Sequence, residues 1–118
     1  MSRYLALYMG TLESAAQQEW ENLSEDEKAK RSTRAMAAWE AWVEQHEAAI
    51  TDMGGPLGKT LLASTSGISP TRNAIAAYVI VEADSHEDAA RMFENHPHFA
   101  IFPGTGVEIL ECLPMPGA

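Results

Sequence analysis

The order of predicted elements along this chain is strand, helix, strand, strand, helix, strand. It points to an α+β domain of the ferredoxin-like βαββαβ type, with an extra short helix after the first strand. Strand patterns at residues 4–9, 59–64, 74–82 and 107–113 are separated by two helical stretches that serve as crossovers. The first strand is apolar on both faces, with Tyr4, Ala6 and Tyr8 against Leu5, Leu7 and Met9. The third sets Ile75, Ala77, Val79 and Val81 against Ala76, Tyr78 and Ile80. When both helices lie on one face of an antiparallel sheet, the other face is normally solvated and polar. Its apolar character calls for a second copy of the chain, the sheets packing face to face in a dimeric α+β barrel.

Residues 4–9 combine aromatic and aliphatic side chains suited to a strand, and Gly10 ends them. A short helix over 14–22 places Leu12, Ala16, Trp20 and Leu23 on one side. Ser24, followed three residues later by Glu27, forms a capping box. It opens a long helix that runs to Met53 and stops at Gly54, with a break expected near residues 31–33. The stretch 65–73, with Gly67, Pro70 and Asn73, is expected to be a hairpin loop. Ser85 and Asp88 cap a second helix whose apolar face is Ala89, Ala90 and Phe93 and which Pro97 ends. A short tail occupies 114–118, and the 118 residues make one domain, 1–118.

Seventeen acidic residues against eight Lys and Arg give a formal net charge of −9. The one basic cluster, Lys28, Lys30, Arg31 and Arg34, lies beside acids at helical spacing and reads as surface ion pairing. Nucleic acid and anionic membrane surfaces are therefore not expected as partners, because both recruit clustered cations. No apolar run approaches the ~20 residues of a membrane helix. The single cysteine, Cys112, has no internal disulfide partner and is expected to be a small buried hydrophobe. The first eight residues are too short for the apolar core of a signal peptide, so a cytoplasmic location is expected.

The residues that bear on chemistry are few. Ala35, Trp39, Trp42, His46, Ala49 and Met53 recur in steps of three and four, which sets an imidazole beside a Trp pair on one helix face. His46 is either a hydrogen-bonded structural histidine or a pocket residue, since an unpaired buried polar group costs roughly 1–3 kcal/mol. His96 precedes Pro97 at a helix end, where it either caps the last carbonyls or acts as a general acid or base near neutral pH. Trp39 and Trp42 are sheet packing or the walls of a site for a flat ligand. Tyr8 and His98 complete the candidate ligand-binding set. His96 and His98 are two apart and no His-x-x-x-His or Cys-x-x-Cys spacing occurs, so no metal is expected. His86 is expected to face solvent. Gly54-Gly55-Pro56-Leu57-Gly58 lacks the Lys-Ser/Thr of a phosphate loop and reads as a helix stop and turn, so no cofactor is expected either.

The opening Tyr4-Leu5-Ala6-Leu7-Tyr8, the Trp39 and Trp42 pair, the turn at residues 52–58, the segment 81–85 before an Ala-rich helix, His96-Pro97 and Val107-Glu108-Ile109 together resemble the YCII-related family. The resemblance spans almost the whole chain and implies a homodimeric α+β barrel. In that family a His and an Asp are proposed as a catalytic-like pair, and one type of member eliminates chloride from a chlorinated hydroxyquinone. Members of the related DGPF group are associated with alternative sigma factors. His96 stands where the family's Asp precedes a Pro; the helix His of the family lies nearer the helix start than His46, and the Asp-Gly-Pro-Phe signature is absent. Two function classes follow. One is a lyase or isomerase using His96 or His46 for proton transfer on a small aromatic or lactone-like ligand. The other is a non-catalytic dimeric module that binds a ligand or protein, with a link to transcription regulation.

Overall fold

Strand β1 (Ser2–Met9) is the centre of the molecule, flanked on both sides by antiparallel neighbours. The computed structural model describes residues 1–117, so Ala118, the end of the predicted tail, lies outside the described residues. After β1 come α1 (Ala15–Glu21), α2 (Glu25–His46), a single 3-10 turn (Glu47–Ala49) and β2 (Ile50–Pro56). They are followed by β3 (Thr60–Ser64), β4 (Gly67–Thr71), β5 (Ile75–Ala83), α3 (His86–Arg91), α4 (Pro97–Ala100) and β6 (Gly106–Glu111). The four-stranded sheet has the order β2-β5-β1-β6, the strand order of a ferredoxin-like domain.

Each helix starts where a side chain satisfies its free amides. Ser14 Oγ accepts from the Gln17 N–H at 3.1 Å, Ser24 Oγ from Glu27 at 3.1 Å and Ser85 Oγ from Asp88 at 3.0 Å. The alternation of β1 and β5 sends Tyr4, Ala6, Tyr8, Val79, Val81 and Ala83 toward the helices, where Trp42, Ala89 and Phe93 close the core. On the opposite face the register sets Leu5 between Ile80 and Leu110, and Leu7 beside Tyr78. Leu5, Leu7, Tyr78 and Ile80 are half-buried and Leu110 is 42% exposed. The second face is apolar, as the strand pattern requires.

Four expectations are corrected. First, α2 is continuous through residues 31–33 and ends at His46, not at Met53. The next residues leave the helix because the β-branched pair Ile50 and Thr51 gains a backbone partner in β5, and the register pairs Ile50 with Val81. The Gly54-Gly55-Pro56 run is therefore part of an irregular edge strand, and it is this strand, not residues 59–64, that joins the sheet beside β5. Asp52 Oδ1 accepts the Gly54 N–H at 2.9 Å, and Gly54 takes φ +62°. A Cβ at Gly54 would collide with the Tyr78 carbonyl oxygen, so only glycine lets β2 lie this close to β5.

Second, residues 59–64 do hold a strand, but β3 pairs only with β4, inside the stretch expected to be loop. Pro70 is tolerated there because each strand of a two-stranded ribbon is an edge. Leu61, Leu62 and Ile68 on this hairpin are 69%, 48% and 76% exposed. Third, Pro97 starts a helix instead of stopping one. It occupies the first turn of α4, where its missing N–H leaves no bond unmade. Cys112 is exposed just beyond β6, not buried. The molecule is flat, 54 × 42 × 19 Å, with a radius of gyration of 16.3 Å against the ~13 Å of a compact chain this long.

Candidate functional site

The turn between α3 and α4 builds the centre of the site. Asn95 takes φ +57°, a left-handed conformation that Asn tolerates, and turns the chain inward so that His96 is only 1% exposed. His96 is the N-cap of α4, and its Nδ1 accepts the backbone N–H of His98 at 3.0 Å. It thus caps the following helix and not the carbonyls of the preceding one. A neutral ring whose Nδ1 accepts must carry its proton on Nε2. That nitrogen lies 3.4 Å from the Tyr8 hydroxyl, so Nε2–H donates to Tyr8 Oη through a long hydrogen bond. The phenol keeps its own proton for another acceptor.

An aromatic shell surrounds this imidazole. Trp39 meets it edge-on at 4.5 Å between ring centroids, Trp42 at 4.8 Å, Tyr8 at 5.1 Å, and Phe93 stacks at 5.8 Å. Burial, reinforced by the neighbouring His98 and His46, pushes the His96 pKa down to about 4. Burial also raises the Tyr8 pKa, so the phenol stays protonated. Trp42 Nε1–H donates to the Met92 carbonyl at 2.7 Å, which ties α2 to the end of α3.

His98 is half-buried, and its Nε2–H donates to the Met9 carbonyl at 2.7 Å. Burial lowers its pKa, with the Met9 hydrogen bond opposing. A Cβ on Gly104 would collide with this ring, so glycine is needed there. His46 ends α2, half-buried, with its ring 5.0 Å from Trp42 and its pKa lowered by burial. His86 does not simply face solvent: Nε2–H donates to the Ile109 carbonyl at 2.7 Å and the ring stacks on Tyr4 at 5.3 Å.

A cavity of about 370 Å³ opens between α2, β2 and the helix face of the sheet, walled by Tyr8, Trp39, Trp42, Met36, Met53 and Gly54. A wider cleft of about 670 Å³ at the end of β1 is lined by His98, Arg72, Asn73, Glu13 and Gln17. The candidate residues are therefore divided. Tyr8, Trp39 and Trp42 line the cavity, and His98 lines the cleft. His96 lines neither but touches Tyr8, and His46 lies behind Trp42. Met36 and the β2 wall are not apparent from sequence periodicity, which sets Met53 on the Trp stripe but carries the helix through residues 50–53. The signal for them is the β-branched Ile50-Thr51 followed by an Asp and two glycines. Among the described residues no group of three His, Cys, Asp or Glu converges in a way that would hold a metal ion, and no helix is long and apolar enough to cross a membrane.

No protein-family model matches the chain, and no curated protein matches it in sequence. Among solved structures it is similar to the 5-chloro-2-hydroxyhydroquinone dehydrochlorinase TftG from Burkholderia phenoliruptrix AC1100, in complex with 2,5-dihydroxybenzoquinone. The two share 20% identity over 94% of this chain and 93% of that one, with a TM-score of 0.50. The likeness supports the α+β, ferredoxin-like fold.

The buried neutral imidazole makes stability depend on pH. His96 titrates at about 4 in the fold and near 6.5 when unfolded, so between those values only the unfolded chain takes up the proton. Stability is undiminished above pH ~6.5 and falls as pH drops, by about 3 kcal/mol from His96 alone once pH is below 4. His46 and His98, also lowered, act in the same direction. Denaturant unfolding at about pH 7.5 and pH 4.5 should show this loss. His96→Asn, which keeps a cap acceptor but does not titrate, should be less stable at neutral pH and show a flatter pH dependence.

Proposed function

We propose that this chain is a homodimeric, small-molecule-binding protein of the YCII-like kind whose cavity holds a flat, one-ring, aromatic or lactone-like ligand between Trp39 and Trp42. The observation that carries the reading is Tyr8, which lines an otherwise apolar cavity and whose hydroxyl accepts the neutral Nε2–H of His96. In an elimination or isomerisation, charge develops on a ligand oxygen. Tyr8 O–H donates to that oxygen, and the His96 N–H stabilises the phenolic oxygen as its proton is shared. Tyr8 is the group that touches ligand; His96 is a positioning residue one step behind it. The dehydrochlorinase of the same fold, bound to a ring of this size and flatness, supports the ligand class and the lyase-type chemistry.

A second reading, a module that binds such a ligand without transforming it, is favoured by a different observation. Tyr8 and Tyr78 are the only titratable residues lining the cavity among the described residues, and the Tyr78 side chain belongs to the opposite face of the sheet, so a base to complete an elimination must come from the ligand or from elsewhere. Homodimer formation rests on the apolar sheet face of Leu5, Leu7, Tyr78, Ile80 and Leu110 and on the flat shape of the single chain.

Uncharged hydroxyquinones, phenols and lactones should raise the thermal midpoint of the protein. Tyr8→Phe should weaken the best of them by up to about tenfold, the worth of one hydrogen bond, and Trp39→Ala by more. Enzymatic turnover, if the ligand is transformed, should be lost in Tyr8→Phe while binding survives. A panel with no stabilising member would remove the small-molecule reading. Light scattering should return twice the chain mass, and Leu5→Lys should give monomer.

A further inference from the structure

We propose that the cavity selects its ligand by charge, admitting flat one-ring molecules in their uncharged form and rejecting the corresponding anions. The inference rests on the ligand-binding reading above and adds the class of molecule that the site takes. Its first support is the wall. Trp39, Trp42, Met36, Met53, Val43 and Tyr8 line the cavity, and no Lys or Arg is among the lining residues. The basic cluster Lys28, Lys30, Arg31 and Arg34 sits on the first turns of α2, away from the Trp pair. Trp42 gives its indole N–H to the Met92 carbonyl and is not free to pair with a ligand anion. An anion entering this space would exchange its hydration for at most the Tyr8 phenol and Trp39 indole hydrogens and a set of apolar surfaces, which disfavours the charged form.

The second support lies beside the cavity. A neighbouring hollow of about 460 Å³ shares Val43, Ile50 and Met53 with the cavity, and its other lining residues are Glu44 and Glu47. Two carboxylates therefore lie beside the edge of the cavity formed by Val43, Ile50 and Met53. The remaining titratable groups about the site are His46 at the end of α2, His96 and His98 around α4, and Asp52 on β2, whose carboxylate accepts the Gly54 N–H. Each of the three histidines has its pKa lowered, so they are neutral at pH 7 and above and supply no positive charge. Among the residues lining the cavity and the adjoining hollow, the charged groups at neutral pH are the Glu44 and Glu47 carboxylates. Aromatic carboxylates are thus poor occupants, and phenols, quinones and lactones enter uncharged.

The test uses the full-length protein and para-nitrophenol, which ionises near neutrality, with its methyl ether para-nitroanisole as the non-ionising control. Calorimetric affinities from about pH 6.5 to 9 should fall roughly tenfold per pH unit once the phenol ionises, while the ether binds with constant affinity. Glu44→Gln with Glu47→Gln should raise phenolate affinity about two- to fivefold and leave the ether unchanged. Phenolate binding as tight as phenol, or benzylammonium binding tighter than the ether, would overturn charge selection while leaving the ligand-binding reading intact. Absence of binding by both nitrophenol and the ether at every pH would remove the ligand-binding reading itself, and charge selection with it.

Discussion

The structure depends on one buried, uncharged imidazole. His96 can be 1% exposed only because each ring nitrogen has a defined partner: Nδ1 the His98 amide, Nε2 the Tyr8 hydroxyl. The first bond opens α4, and the second ties α4 to β1. The aromatic shell of Trp39, Trp42 and Phe93 then packs α2 and α3 against the same ring. Protonation would place a hydrogen on Nδ1, directed at the His98 N–H, and would bury a charge among aromatic rings. The neutral form is thus required by hydrogen-bond geometry and by desolvation together.

This constraint explains how the functional groups are arranged. The Nε2–H makes Tyr8 an acceptor from His96 and leaves the phenol hydrogen for a ligand. Trp39 and Trp42 serve two purposes, covering His96 on one side and walling the cavity on the other. Because the ferredoxin-like fold carries many unrelated activities, the reading of the site follows from these contacts and not from the architecture. The Tyr8 hydroxyl and the carboxylates of Glu44 and Glu47 beside the cavity are the features on which the proposed preference for uncharged rings rests.

The α+β class, the capping serines and the apolar second face were legible because they depend on local periodicity and side-chain type, whereas the second sheet strand was not, since it lies at 50–56 and not at 59–64. The Trp39 and Trp42 stripe was legible for the same reason. Beyond His46 the helical spacing of Ala49 and Met53 continues, yet pairing with β5 outweighs it, a competition between distant segments that no local pattern displays. His96 was singled out from its place before Pro97, but its burial and its tautomer follow from the left-handed Asn95 and from a cap made by an imidazole, which is outside the usual Ser, Thr, Asp and Asn. Cys112 was misplaced because the end of β6 leaves it exposed, while His86 is exposed as its place early in a helix implies and also bonds to the β6 backbone.

The protonation state of His96 is the most direct point of contact with experiment. In uniformly 15N-labelled protein, the side-chain nitrogen shifts and their couplings report which ring nitrogen carries hydrogen. Between about pH 5 and pH 8 the structure requires a bare Nδ1 and a protonated Nε2 throughout, with no titration in that range. An imidazolium at about pH 6, or a hydrogen on Nδ1 at any pH in the range, would contradict it.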